Sequence, residues 1–175
     1  KFNPFEVVPT PFELCHNHFN QKRYLQRGTM GLKTPSENDR TEKMRKEKMH
    51  TLINTPKAMA AIGPYNQAIR VGNLVFTSGQ LGVDPKTGKL VEGLDAQMHM
   101  TFANLRAVLH QAGAQFKDVV KFNIYLDDMA NFEKMNDFMK QYLLGLPHPA
   151  RTCTQPVAMP KGCLFLLDAI AVVEE

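Results

Sequence analysis

No tryptophan occurs in this 175-residue chain, and cysteine occurs only three times. Cys15, Cys153 and Cys163 are odd in number and widely spaced. They suggest neither a disulfide framework nor metal-ligand spacing, so reduced thiols in a cytosolic or organellar compartment are expected. No stretch reaches the ~18 consecutive apolar residues that a membrane-spanning helix needs. Gly79 and Gly82 fit no nucleotide-binding glycine pattern, which argues against a phosphate loop. An excess of one charge is also missing from most of the chain. Residues 49–175 hold 11 Lys/Arg against 11 Asp/Glu, whereas residues 1–48 hold 10 against 6. The net charge of +4 thus belongs to the front segment. A neutral domain is not expected to bind nucleic acid, which normally requires a basic patch.

What is present divides at about residue 48. Residues 1 to about 32 carry aromatics and prolines without a sustained period, and read as irregular chain packed through phenylalanines. Ser36 followed by Asp39 resembles a capping box ahead of the charged run Arg40 to Lys48, a short solvated helix by expectation. Cys15-His16-Asn17-His18 has the look of a metal fragment, but it lacks a distant second pair of ligands, so no metal is expected. The chain begins at Lys1 rather than Met, which suggests a removed leader or a trimmed end. A basic leading segment fits an organellar address, while Glu6 and Glu13 weaken that reading and leave the cytoplasm as the alternative.

From Met49 onward the pattern is that of a folded domain. His50 to Thr55 reads as a first strand, and Ala68 to Val71 with Leu74 to Ser78 as a hairpin about Gly72-Asn73. Met98, Phe102, Leu105 and Leu109 recur at helical spacing, and Gly113 stops that helix after Ala112. Val119 to Leu126 is a strand, and Phe132, Met135, Phe138, Met139 and Tyr142 mark a second helix. Ala150 to Val157 and Cys163 to Val173 complete the set, with Pro156 putting the former at an edge. The fold class is therefore α/β (α+β), a mixed sheet of about six strands with two helices on one face. Yet Leu164 to Leu167 and Ala169 to Val173 are apolar at both parities, as in a strand buried on both sides. The face without helices needs a partner, and a closed homo-oligomer with inward-facing sheets is expected.

Arg151, between Pro149-Ala150 and Thr152-Cys153, is the cation that solubility explains least. Its planar fork can grip a carboxylate through two parallel hydrogen bonds. Several ordered segments accompany it. They are Ile62-Gly63-Pro64-Tyr65-Asn66-Gln67, Ser78-Gly79-Gln80, Asp84-Pro85-Lys86-Thr87-Gly88, Gln111-Ala112-Gly113, Asp128-Met129 with Phe132 and Asn136, and Met159-Pro160-Lys161-Gly162. As an ordered set, residues 49–175 resemble the Rid/YjgF family of imine/enamine deaminases, whose members also carry the name endoribonuclease L-PSP. Residues 1–48 lie outside the resemblance.

That resemblance implies a chorismate-mutase-like homotrimer with clefts between subunits, in which a small 2-imino or 2-oxo acid binds. Arg151 would hold the substrate carboxylate, with Tyr65, Phe132 and Asn136 lining the pocket and backbone groups at Ser78, Gly79 and Cys153 meeting other polar atoms. Hydrolysis of the C=N bond would release ammonia and a 2-oxo acid, with no metal or organic cofactor required. The family's last strand usually carries Glu-x-Glu, the first of which handles the attacking water. Here those places hold Leu166 and Asp168. Either Asp168 substitutes, or a water chain manages alone, or the site binds without efficient turnover. A ribonuclease or translation-inhibiting activity, historically attached to the family, is the further alternative.

Each residue also has a plainer reading. Arg151 could form a structural ion pair to another subunit, Tyr65 could be a core edge, and Asn136 could pair with a loop. Cys153 invites a nucleophile reading, but a structural thiol offering its carbonyl is the better account. Asp168, inside an apolar strand, must find a partner, either an Arg or Lys or a catalytic role.

Overall fold

The computed structural model describes residues 50–174. The expected irregular segment, the helix ahead of residue 48 and the Cys15-His16-Asn17-His18 tract lie outside these. The described elements, in chain order, are β1 (Thr51–Ile53), β2 (Ala68–Val71), β3 (Leu74–Thr77), β4 (Gln80–Leu81), α1 (Leu94–Gln111), β5 (Val119–Leu126), α2 (Phe132–Tyr142), β6 (Ala150–Thr154) and β7 (Phe165–Val172). The sheet runs β1-β2-β3-β7-β5-β6, with β4 also paired to β7. Every pairing is antiparallel except β5 with β6, so the sheet is mixed.

Three expectations shift. The first strand is only Thr51–Ile53, and β6 stops at Thr154. Pro156 follows β6 and has no N–H to extend the ladder, and β6 is indeed an edge strand. The two-residue β4 was not foreseen. It is held from outside the sheet, since buried Asn104 on α1 donates through Nδ2 to the carbonyls of Leu81 (3.0 Å) and Val83 (2.8 Å).

Alternation along β7 sets the two faces. Phe165, Leu167, Ala169 and Ala171 are buried, whereas Leu166, Asp168, Ile170 and Val172 are half-buried. The buried set meets Phe122, Ile124 and Leu126 of β5 and both helices in one core. Met98, Phe102, Leu105 and Leu109 of α1 are completely enclosed there. Phe102 is the hub, touching the rings of Phe116, Phe122, Phe138, Tyr142 and Phe165. Aromatic pairs of this kind add about 0.5–1.5 kcal/mol each beyond burial. The helix α1 is capped by Ala112, and Gly113 follows at φ +79°, a conformation an L side chain resists.

The other face carries no helix among the described residues. Leu52, Val71, Leu74 and Phe76 are all more than a third exposed on it, and register places them in line with Ile170 and Val172. It is an apolar surface that the described residues leave open.

Candidate functional site

Arg151 lies on the edge strand β6, paired with Phe122 of β5, so its side chain leaves the sheet on the helix-covered face. There α2 receives it. Nη1 donates to Asn136 Oδ1 at 2.6 Å and lies 3.8 and 3.9 Å from the sulfurs of Met135 and Met139. The guanidinium carbon sits 5.4 Å from the centre of the Phe132 ring. One end of the fork is thus gripped by neutral groups: an amide, two thioethers and an aromatic face. No carboxylate among the described residues forms an ion pair with it. The residue remains exposed beside a cleft of about 440 Å³ that Asn136, Met139, Lys140, His148, Pro149 and Arg151 help line. A cation held in place but not neutralised is suited to an incoming anion.

The start of α2 explains the placement. Asp128 Oδ1 accepts from the Ala130 N–H at 2.8 Å, and Gln155 Oε1, just beyond β6, accepts from the Met129 N–H at 3.0 Å. These contacts tie the α2 entry to the strand that carries Arg151. Phe132, Met135, Asn136 and Met139 then follow at the three- and four-residue spacing that puts them on one helix face.

Cys153 also points to the helix-covered face, level with Ile124, and packs against the core. Burial pushes its thiol up, although the Arg151 charge pulls the other way. A thiol that keeps its proton is a poor nucleophile, which favours the structural reading.

The remaining expected residues gather elsewhere. Ser78 donates through Oγ to the Asn66 carbonyl at 2.6 Å, and its N–H donates to the Gln67 carbonyl at 2.9 Å. Buried Gln67 anchors the loop from residue 54 to 66. Its Nε2 donates to the carbonyls of Thr55 (3.0 Å) and Met59 (2.7 Å), and its Oε1 accepts from the Thr55 N–H at 2.6 Å. That loop presents Tyr65, two-fifths exposed, whose hydroxyl accepts from the Ile62 N–H at 3.1 Å. Gly79 faces Leu166, for a β-carbon built on Gly79 would lie 3.0 Å from Leu166 Cδ2.

Asp168 is held by a neutral residue, and no described Arg or Lys forms an ion pair with it. Asn123 Nδ2 donates to its Oδ1 at 2.7 Å, and the Tyr125 phenol lies against the same carboxylate. Burial first, then that carboxylate's charge and hydrogen bond, push the Tyr125 phenol up from its usual range.

The expected residues therefore form two groups within one chain. Arg151, Asn136, Phe132 and Cys153 lie at the β6 edge on the helix side; Gly79, Leu166 and Asp168 lie along β4 and β7, with Leu166 and Asp168 on the open face. Three strand spacings separate β6 from β4, roughly 14 Å at about 4.8 Å each. Met135, Met139, Asn123 and Tyr125 were not singled out in the sequence as site residues. The first two recur with Phe132 at three- and four-residue spacing, a signal that was legible; the last two depend on strand register.

Residues 55–173 match the family described as Endoribonuclease L-PSP. A RutC family protein of Pyrococcus abyssi is 43% identical over 124 residues, covering 70% of this chain and 97% of its own length. The chain belongs to this family, the Rid/YjgF proteins. Among other Rid relatives, the 2-iminobutanoate/2-iminopropanoate deaminase of Bos taurus is 43% identical over 122 residues, 69% of this chain and 88% of its own. The crystal structure of RidA from an Antarctic Psychrobacter shares 43% identity with a TM-score of 0.68, over 70% of this chain and 99% of that one. The structure of E. coli TdcF with bound serine shares 33% identity with the same score, over 71% and 99%. No described helix is long and apolar enough to cross a membrane.

Proposed function

We propose that this Rid protein hydrolyses small reactive 2-imino acids to 2-oxo acids and ammonia, with Arg151 as the carboxylate anchor. The observation carrying this reading is the Arg151 fork, held on Asn136 and Phe132 with no described acid paired to it, at the mouth of a cleft. Two parallel bonds to a carboxylate would fix the substrate's plane and turn its C=N carbon toward one approach. The imine is already an electrophile, so catalysis reduces to orientation and proton handling. Relatives named for 2-iminobutanoate/2-iminopropanoate deamination, and one solved with the amino acid serine bound, support a small carboxylate-bearing ligand.

The site is completed by a second copy. Tyr65, Ser78 and Gly79 stand on the far side of the sheet region from Arg151, and the apolar open face asks for cover. A closed homotrimer with inward-facing sheets satisfies both, bringing the Arg151 edge of one chain to the Ser78-Gly79 region of another.

A second reading, binding without efficient turnover, is favoured by Leu166, whose methyl groups occupy the space in front of Gly79 and can neither orient water nor accept a proton. The test generates 2-aminoacrylate or 2-iminobutanoate in situ with a dehydratase and follows ammonia release. Acceleration over buffer that disappears in Arg151→Ala is the expected result. Calorimetry showing 2-oxobutanoate binding without any acceleration would establish the second reading instead. Equal behaviour of wild type and Arg151→Ala in both assays removes the anchor altogether.

A further inference from the structure

On the open face, β7 has β4 on one side and β5 on the other. Leu166 is therefore flanked by Gly79, whose β-carbon would meet it at 3.0 Å, and by Tyr125, its direct cross-strand partner. One step along, Asn123 stands opposite Asp168 and donates to its Oδ1 at 2.7 Å. Tyr125 stands diagonal to that carboxylate on the same face. A phenol and a half-buried carboxylate thus sit together beside Leu166, whose side chain offers no polar atom. Nothing in the packing of the core calls for the pair, since both residues project away from it.

We propose that Tyr125 and Asp168, oriented by Asn123, form the proton relay of the cleft in place of the carboxylate that Leu166 cannot supply. This rests on the deaminase reading. The substrate enters as the protonated imine. The water oxygen bonds to the C=N carbon, and the π pair moves onto nitrogen. The water's surplus proton passes to the Tyr125 oxygen as the phenol's own proton moves to Asp168. The resulting carbinolamine takes that proton back on nitrogen through Tyr125, which restores the pair. The C–N bond then breaks, its electrons leaving with ammonia, and the hydroxyl proton follows to give ammonium and the 2-oxo acid. Tyr125 cannot serve as a base alone, because its proton is held on well past neutrality; Asp168 is the acceptor that makes the transfer possible.

The test measures kcat and KM for 2-iminobutanoate hydrolysis on wild type, Tyr125→Phe, Asp168→Asn, the double variant, and Leu166→Glu placed in Tyr125→Phe. Tyr125→Phe keeps the ring on a half-exposed sheet face, and circular dichroism checks its fold. General-base help is typically worth about 10²–10⁴ in rate, and for so reactive a substrate the lower end applies, so each single variant should lose about 100-fold in kcat with KM little changed. The double variant should lose no more than either single one, because the two residues act as a unit. Leu166→Glu should recover much of the loss by putting a carboxylate beside Gly79. Turnover that Arg151→Ala abolishes but Tyr125→Phe leaves unchanged overturns the relay and leaves the deaminase reading standing. Absence of turnover in the wild type overturns both.

Discussion

Replacing Asn136 by Asp is the sharpest perturbation of the anchor, because it changes one atom type at a fixed distance. Asn136 Oδ1 accepts from Arg151 Nη1 at 2.6 Å, so Asn136→Asp sets a formal negative charge against the guanidinium without altering shape. Two unit charges about 4 Å apart attract by about 1 kcal/mol in water and about 4 kcal/mol at an effective dielectric of 20. Arg151 is exposed, so the lower part of that range applies, about 1–2 kcal/mol. An incoming carboxylate would meet a cation already satisfied, and its affinity should fall about 5- to 30-fold. Asn136→Ala removes a single hydrogen bond, worth about 0.5–1.5 kcal/mol, and frees the fork without neutralising it. It should therefore weaken binding less than Asn136→Asp does. Calorimetric titration with 2-oxobutanoate, the unreactive product, compares the three proteins directly. If Asn136→Asp binds as tightly as wild type, Arg151 does not hold the ligand's acid group and the reasoning fails.

Other consequences follow from the fold. A β-carbon on Gly82 would lie 2.6 Å from the Gln97 Cα of α1, and neither backbone can yield. Gly82→Ala should cost about 3 kcal/mol and lower Tm by roughly 10 °C, whereas Gly88→Ala, with open space around it but φ +69°, should cost about 1 kcal/mol. Equal losses at the two sites would contradict the packing of β4 on α1. Burial pushes up the thiols of Cys153 and Cys163 and the phenols of Tyr125 and Tyr142, from ordinary values of 9.0 and 10.0. Above those ordinary values the unfolded chain has shed protons that the folded protein keeps. Unfolding free energy should hold below pH 8, fall as pH climbs through 9 and 10, and flatten only above the raised values. Denaturant midpoints measured from pH 7 to 11 check this, and a stability that rises over that window would refute it.

Much of the fold was legible because local chemistry and burial agreed. Strand β5 runs over Val119–Leu126 as its pattern predicts, and α1 stops at its cap Ala112 because Gly113 takes the positive φ there easily. Strand β4 was not legible, since its two residues are placed by Asn104 from a helix more than twenty positions later. The apolar run of β7 led to the expectation of cover on both faces; among the described residues its buried positions alternate with half-buried ones on the open face. For the site, Arg151, Phe132 and Asn136 lie together, whereas Tyr65 lies on a separate loop. Tyr125 did not stand out, because its neighbourhood depends on the register Tyr125–Leu166 and Asn123–Asp168, which no local pattern encodes. Asp168 was expected to seek a cation or a catalytic task; Asn123 donates to it, and no described Arg or Lys forms an ion pair with it.

The proposed cleft joins the Arg151 edge of one copy to the Gly79 region of the next, and mixed oligomers probe that junction most directly. Arg151→Ala removes one half; Gly79→Val obstructs the other, and it is tolerable because Gly79 lies outside the positive-φ region and meets only the flexible end of Leu166. Each variant alone should be inactive in imine hydrolysis. Co-expressed in equal amounts, they should regain about a quarter of wild-type turnover, since random assembly around a closed ring pairs two intact halves that often. A mixture as inactive as either parent would show that both halves must come from the same chain, contradicting the account.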